Sequence, residues 1–176
     1  MDSGFADFDT TLPDGRAVHI RAMRPTDEVE LVQAFGRMSD DARYMRFMRF
    51  VREPNLERVR KALASFPEHG IGIVATVPAA DGIDIVGSAT YLVGNDRSTC
   101  EFAINVASEF GGVGLASTLL TALINAAKAR GLNEMEGFVL AMNQPMLRLA
   151  RRLGFSIAAD PEDAAVRICR LRLGDA

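Results

Sequence analysis

The residues Glu109-Phe110-Gly111-Gly112-Val113-Gly114-Leu115-Ala116-Ser117 stand between two patterned runs. Before them is a strand-like run, Glu101 to Val106. After them comes an amphipathic helix with apolar positions at Leu115, Leu119, Leu120, Leu123 and Ala127. A glycine-rich turn here leaves backbone N–H groups unobstructed. The first helical turn adds orphan donors and the positive end of the helix dipole. That chemistry suits a phosphate or pyrophosphate. The same glycines also suit a tight connection at positive φ, and the segment alone leaves both readings open. No Gly-Lys-Ser/Thr closes it as in a Walker loop. The dinucleotide spacing G-x-G-x-x-G is absent too, because Gly112-x-Gly114 runs on into Leu115-Ala116-Ser117.

A second segment, Asn143 to Phe155, reads as a helix with its ends marked. Asn143 is a good N-cap, Pro145 suits the first turn and Gly154 suits the position after the last turn. By itself this is only a well-capped helix. Taken in order, the two segments resemble the GNAT superfamily of N-acetyltransferases. Its acyl-CoA pyrophosphate loop reads Gln/Arg-x-x-Gly-x-Gly/Ala after an aromatic residue. Phe110, Gly114 and Ala116 match it, while Gly111 replaces the usual Gln or Arg and Val113 a frequent Arg or Lys. Asn143 and the closing Leu153-Gly154-Phe155 resemble the second CoA motif. The resemblance runs from about Arg16 to Leu173 and leans toward the bacterial Pat-type protein lysine acetyltransferases. That leaning rests on Glu101 leading its strand, on Ile20-Arg21-Ala22-Met23-Arg24-Pro25 and on Ser39, Tyr44 and Arg46-Phe47.

The resemblance implies a mixed α/β fold. It would be a GNAT-like central sheet, mostly antiparallel, with splayed strands and flanking helices. The strands at Glu101 and Met135 would diverge at their C-terminal ends and receive the pantetheine arm. Acetyl-CoA or CoA is the implied cofactor, as acyl donor, with no metal. Backbone groups around Ile104, Asn105 and Val106 would hold pantetheine and stabilise the developing oxyanion. Gly111, Gly112, Val113, Gly114, Leu115, Ala116 and Ser117, with Asn143, complete the implied CoA site. Glu101 is the implied general base, since a protonated amine cannot attack. Its other reading is a solvated strand carboxylate. The superfamily's usual tyrosine acid has Ala150 in its place. Arg148, Arg151, Arg152, Lys128 and Arg130 could reach the ribose 3′-phosphate, or could simply form a solvated helix face. Tyr44, Met45, Arg46, Phe47, Met48, Arg49 and Phe50 would lie over the acceptor groove, or be core.

The expected activity is acyl transfer from acetyl-CoA to an amine, foremost a protein lysine. The alternatives are a small-molecule amine acetyltransferase and a non-catalytic acyl-CoA-binding regulatory module, the latter motivated by Gly111, Val113 and Ala150. The net charge of −3 gives no support for nucleic-acid binding. No apolar run is long enough to span a bilayer. A homodimer is left open. Cys100 and Cys169 are too few for a disulfide framework, which fits a cytoplasmic protein. Cys100 reads as a small buried thiol rather than a nucleophile. The two histidines have no metal-ligand spacing.

These residues need elements to hold them. Residues 1–12 read as a loose N-terminal arm, and 13–176 as one acetyltransferase-like domain. Ala17 to Ala22 alternates as a strand. A helix capped by Thr26 runs to about Met38, a short one begins at Ser39, and a third spans Asn55 to Phe66. A hairpin joins Gly70–Val77 to Ile83–Val93. Cys100–Val106 is a strand and Gly114–Arg130 a helix. Met135–Ala141, the Asn143 helix and a closing strand, Ala164–Leu173, complete the chain.

Overall fold

The computed structural model describes residues 3–174. One eight-stranded sheet runs through it. In chain order the strands are β1 (Phe8–Thr11), β2 (Ala17–Ala22), β3 (Gly70–Ala79), β4 (Gly82–Val93), β5 (Thr99–Val106), β6 (Glu134–Leu140), β7 (Ser156–Asp160) and β8 (Asp163–Arg172). Across the sheet the order is β1-β2-β3-β4-β5-β6-β8-β7. Every neighbouring pair is antiparallel except β5–β6. The helices are α1 (Glu28–Gly36), α2 (Asp40–Phe47), α3 (Leu56–Ser65), α4 (Leu115–Ala129) and α5 (Gln144–Arg152). The expected class, mixed α/β with a mostly antiparallel sheet and flanking helices, is the observed one.

The parallel pair sets up the site. Strands β5 and β6 are registered only over Thr99–Glu134, Cys100–Met135 and Glu101–Glu136. Beyond Glu101, β5 keeps β4 as its partner through Val106. Its other edge loses β6, and alternate backbone groups from 102 to 106 face the gap. Helix α4 packs on β3, β4 and β5. Leu115, Leu119, Leu120, Leu123 and Ala127 are all wholly buried, as their 3.6-residue spacing requires. A side chain at Gly87 of β4 would stand 2.9 Å from Leu119 Cδ1, so the small residue lets α4 approach closely.

Three sequence expectations need correction. Residues 8–11 are not part of a loose arm: they form β1, registered with β2 from Phe8–Ile20 to Thr11–Ala17. Leu12 is buried behind them. Strand β7 was not expected; it is five residues, SIAAD, mostly exposed, and held by β8 alone. Thr26 is not a helix cap. It lies inside a 3-10 turn, Pro25–Asp27, ahead of α1. Asp27 organises that turn instead. Its carboxylate accepts from the Arg24 amide at 2.7 Å and from Arg21 at 2.8 and 2.9 Å. Asn143 caps its helix as read, accepting from the Met146 amide; Ser39 and Asn55, where two further helices were expected to begin, prove to be caps too, accepting from the Ala42 and Arg58 amides.

Candidate active site

The gap between β5 and β6 opens into a cavity of about 1780 Å³. Its floor is β5 from Glu101 onward, and Phe138 and Val139 of β6 form the other bank. The N-terminal ends of α4 and α5 close one end. Residues of α1, α2 and α3 close the other, with α2 packed over both β5 and β6.

Of the residues expected to bind CoA, Ile104, Asn105, Val106, Gly111, Gly112, Gly114, Ala116, Ser117 and Asn143 all line this cavity. Two do not. Leu115 is wholly buried beneath α4, and Val113 is half-buried against the core, so only their backbone can serve a ligand. Gly114 starts α4 at φ +89°, and no side chain caps the helix. A Cβ on Gly112 would meet nothing within 4 Å, and one on Gly111 only Ser108 O, at 3.3 Å. The Gly111 amide donates to Ser108 O at 3.2 Å, and beyond it Gly112 leaves the loop surface uncrowded, which is what a pyrophosphate needs. Deeper in the gap, Asn105 Oδ1 is buried with no partner, although its Nδ2 donates to Ser88 Oγ at 3.4 Å. An orphaned buried acceptor is costly unless a ligand donor meets it. The amide N–H groups of a pantetheine arm are such donors. The chain's residues thus fit CoA.

Side chains far away in sequence hold the loop. Arg16 lies over the Phe110 ring, 3.8 Å from its centroid, and donates to Glu109 O at 2.8 Å. Pro13 covers Gly114 from outside. Ser108 Oγ accepts from the Ser39 amide at 3.1 Å, joining the loop to the start of α2. No local pattern in the sequence announces these contacts.

Glu101 sits at the last registered pair of β5 and β6, opposite Glu136, and is open to the cavity. Desolvation pushes its carboxyl above the ordinary range and Glu136 pushes it further, while Arg46 and Arg58 pull it back. A raised carboxyl pKa makes a stronger base. Cys100, next in the chain, is 2% exposed and pushed up to about 12 by burial, so it holds no thiolate for nucleophilic attack. Ala150 is wholly buried, and neither tyrosine of the chain, Tyr44 or Tyr91, lines the cavity. Arg148, Arg151 and Arg152 reach the cavity; Lys128 and Arg130 do not. Arg130 instead donates to the carbonyls of Pro67 and Glu68. Within the 44–50 segment, Met45 through Arg49 face the cavity. Tyr44 and Phe50 pack on each other outside it, with ring centroids 4.9 Å apart.

The family model of the acetyltransferase (GNAT) domain matches residues 18–156. The chain belongs to the GNAT acetyltransferase family. An acetyltransferase of Pseudomonas aeruginosa is 30% identical over 163 residues, covering 93% of this chain and 88% of that protein. Among solved structures, the GNAT domain of S. lividans PAT superposes with a TM-score of 0.85 at 22% identity, over 95% of this chain and 97% of that one. A shorter match, 40% over 62 residues, is to an L-methionine sulfoximine/L-methionine sulfone acetyltransferase of Pseudomonas aeruginosa, covering 35% of this chain and 36% of that protein. GNAT enzymes use acetyl-CoA. This family member has an open glycine loop ahead of α4 and a gap between β5 and β6, and carries Gly111, Val113 and Ala150 where the resemblance led one to expect other residues.

Proposed function

We propose that the protein transfers an acetyl group from acetyl-CoA to the side-chain amine of a protein lysine, with Glu101 as general base and the chain from β1 onward working as one domain. One observation carries this reading. A carboxylate with a raised pKa stands at the mouth of the β5–β6 gap, in the same cavity as an open glycine loop. The bound donor supplies a thioester carbon. The backbone N–H groups of Gly112 to Ser117 would hold the pyrophosphate, and Asn105 Oδ1 would take a pantetheine N–H. The gap-facing edge of β5 orients the acyl carbonyl and donates to its oxygen as charge develops there. Glu101 takes a proton from the incoming amine, directly or through one water. With no tyrosine on the cavity wall, the thiolate proton comes from solvent.

The Pat-like residues of the sequence, Glu101 leading its strand, Ile20 to Pro25 and Ser39, Tyr44 and Arg46-Phe47, support a protein acceptor. The 62-residue match to an enzyme named for an amino-acid analogue supports a small amine as the second reading. Acetyl-CoA incubated with a lysine-bearing protein and spermidine together, followed by mass spectrometry, tests the choice. Label on protein lysine is expected. Label on spermidine alone would leave only the small-amine reading. No thiol release, with CoA still bound, would make the protein a non-catalytic binding module.

A further inference from the structure

The end of the cavity away from the glycine loop carries charge that the transfer chemistry leaves unused. Arg46, Arg49, Arg58 and Lys61 line it, against Glu53 and Glu101. Three more arginines line the CoA end, on α5. A chain of net charge −3 thus surrounds this cavity with seven cations and two carboxylates among the described residues. The CoA phosphates account for the end near α5, and the excess around α2 and α3 lacks a counter-charge.

Two of these arginines are placed to do more than set a field. Other arginines of the protein have carboxylate partners: Arg21 has Asp27, Arg37 has Asp84 and Arg60 has Glu28. Neither Arg46 nor Arg58 makes an ion pair among the described residues, and neither side chain makes a hydrogen bond there. Arg46 stands over the Phe47 ring, 4.8 Å from its centroid, with Nε buried and unpartnered. A buried guanidinium donor without an acceptor is unfavourable unless a ligand supplies one. A carboxylate matches the guanidinium fork in shape and charge.

We propose that Arg46 and Arg58 form an anion subsite beside Glu101, which takes a carboxylate held close to the acceptor amine. Resting on the protein-lysine reading, that carboxylate is an Asp or Glu flanking the target lysine. Geometry sets the assignment: both arginines share the cavity with Glu101, and α2 carries Arg46 over the gap between β5 and β6. The mutual influence of Arg46, Arg58 and Glu101 agrees with it. Burial and Arg58 bring Arg46 down to about 10, and Glu101 holds it up. One negative charge brought between the arginines offsets their repulsion and leaves Glu101 free to take the proton. Arg49, exposed and farther along the chain than the α2 helix, serves the rim.

The test uses short peptides with one lysine flanked by Glu, by Ala or by Arg, together with L-methionine and its amide, each with acetyl-CoA and thiol release as readout. The wild type should favour the Glu-flanked peptide over the Ala-flanked one in kcat/KM by roughly tenfold or more. Arg58→Glu should collapse or invert that ratio, and Arg58→Lys should keep part of it. Arg58 is exposed, so these variants should fold, and CoA binding checks that they do. If peptides give no turnover but methionine exceeds its amide and Arg58→Glu abolishes the difference, the subsite stands and the protein-lysine reading fails. If all three peptides react alike, or the Glu preference survives Arg58→Glu, the subsite is overturned while the lysine reading holds. Turnover on none of the probes overturns both.

Discussion

The Phe102 ring occupies the place where a side chain on Gly137 would stand: a Cβ there would lie 2.3 Å from Phe102 Cε1. These two residues come one position past Glu101 and Glu136, the last registered pair of β5 and β6. Phe102 is anchored from behind by an edge-on contact with Phe155, ring centroids 5.4 Å apart. The ring thus lies over Gly137 at the beginning of the gap, where only a residue without a side chain leaves it room.

Gly137→Ala should therefore force the Phe102 ring out of its place. Overpacking of this kind costs about 1–3 kcal/mol. Urea unfolding should show that loss, and the displaced β5 should raise the KM for acetyl-CoA. Wild-type stability together with wild-type kinetics would mean that Phe102 does not set the gap.

The raised pKa of Glu101 predicts activity and stability moving in opposite directions. Its folded pKa lies above its ordinary value, so whatever it contributes to stability is present in acid and lost as pH rises through the folded pKa. At neutral pH the charged group is a burden to the fold. Glu101→Gln should leave the melting temperature at pH 7 unchanged or raised, while kcat/KM falls by about 10²–10⁴. The acid limb of the wild-type pH–rate profile should sit above the normal carboxylate range and vanish in the variant. Glu101 would have no catalytic role if the variant turned over like the wild type at neutral pH.

The long elements were legible because local rules set them. Helix α4 announces itself by five apolar residues at helical spacing and by the glycines ahead of it, and α5 by Asn143 and Pro145. Strands β1 and β7 escaped because they are four and five residues long, lie at the two edges of the sheet and are mostly exposed. Their place depends on β2 and β8, not on their own composition. The candidate site divides in the same way. Loop glycines and the strand glutamate are written in short motifs, but Arg16 over Phe110, Ser39 on Ser108 and the presence of Arg46 and Arg58 on one cavity join segments that only the fold brings together.

The glycine loop allows one change that should improve it. Gly111 has φ −69°, a conformation any residue adopts, and its nearest obstacle is a single carbonyl. Gly111→Arg restores the cation that relatives often carry there. A charge-assisted contact contributes about 1.5–3 kcal/mol, so CoA should bind roughly ten- to a hundredfold more tightly. Val113 offers no such site, because its side chain packs into the core. Gly114 is the opposite case. At φ +89°, with Pro13 3.4 Å from where a Cβ would stand, Gly114→Glu strains the turn and adds a negative charge beside the pyrophosphate. Calorimetry should find no CoA binding by this variant. An unchanged affinity in Gly111→Arg would show that the backbone donors alone dominate.

The Arg21–Asp27 pair fixes the turn that leads into α1, whose Leu31, Ala34 and Phe35 line the cavity. Both side chains are buried, at 9% and 6% exposure, and the pair is bidentate. Burial alone would raise the Asp27 pKa, but the Arg21 guanidinium and the Arg24 amide outweigh it, and the carboxyl is held below its usual range. A carboxyl lowered in the fold adds stability above its unfolded pKa and loses it as pH falls from there through the folded value. Wild-type stability should therefore drop in acid partly through this group. Asp27→Asn leaves Arg21 buried without a counter-charge, which costs about 3–5 kcal/mol at neutral pH. The double change Arg21→Met, Asp27→Leu should cost less than Asp27→Asn alone, because no charge is left stranded. Denaturant titrations of the three proteins at pH 7 and pH 4 measure this. The gap between wild type and Asp27→Asn should narrow at pH 4, and a constant gap would remove Asp27 from the acid response.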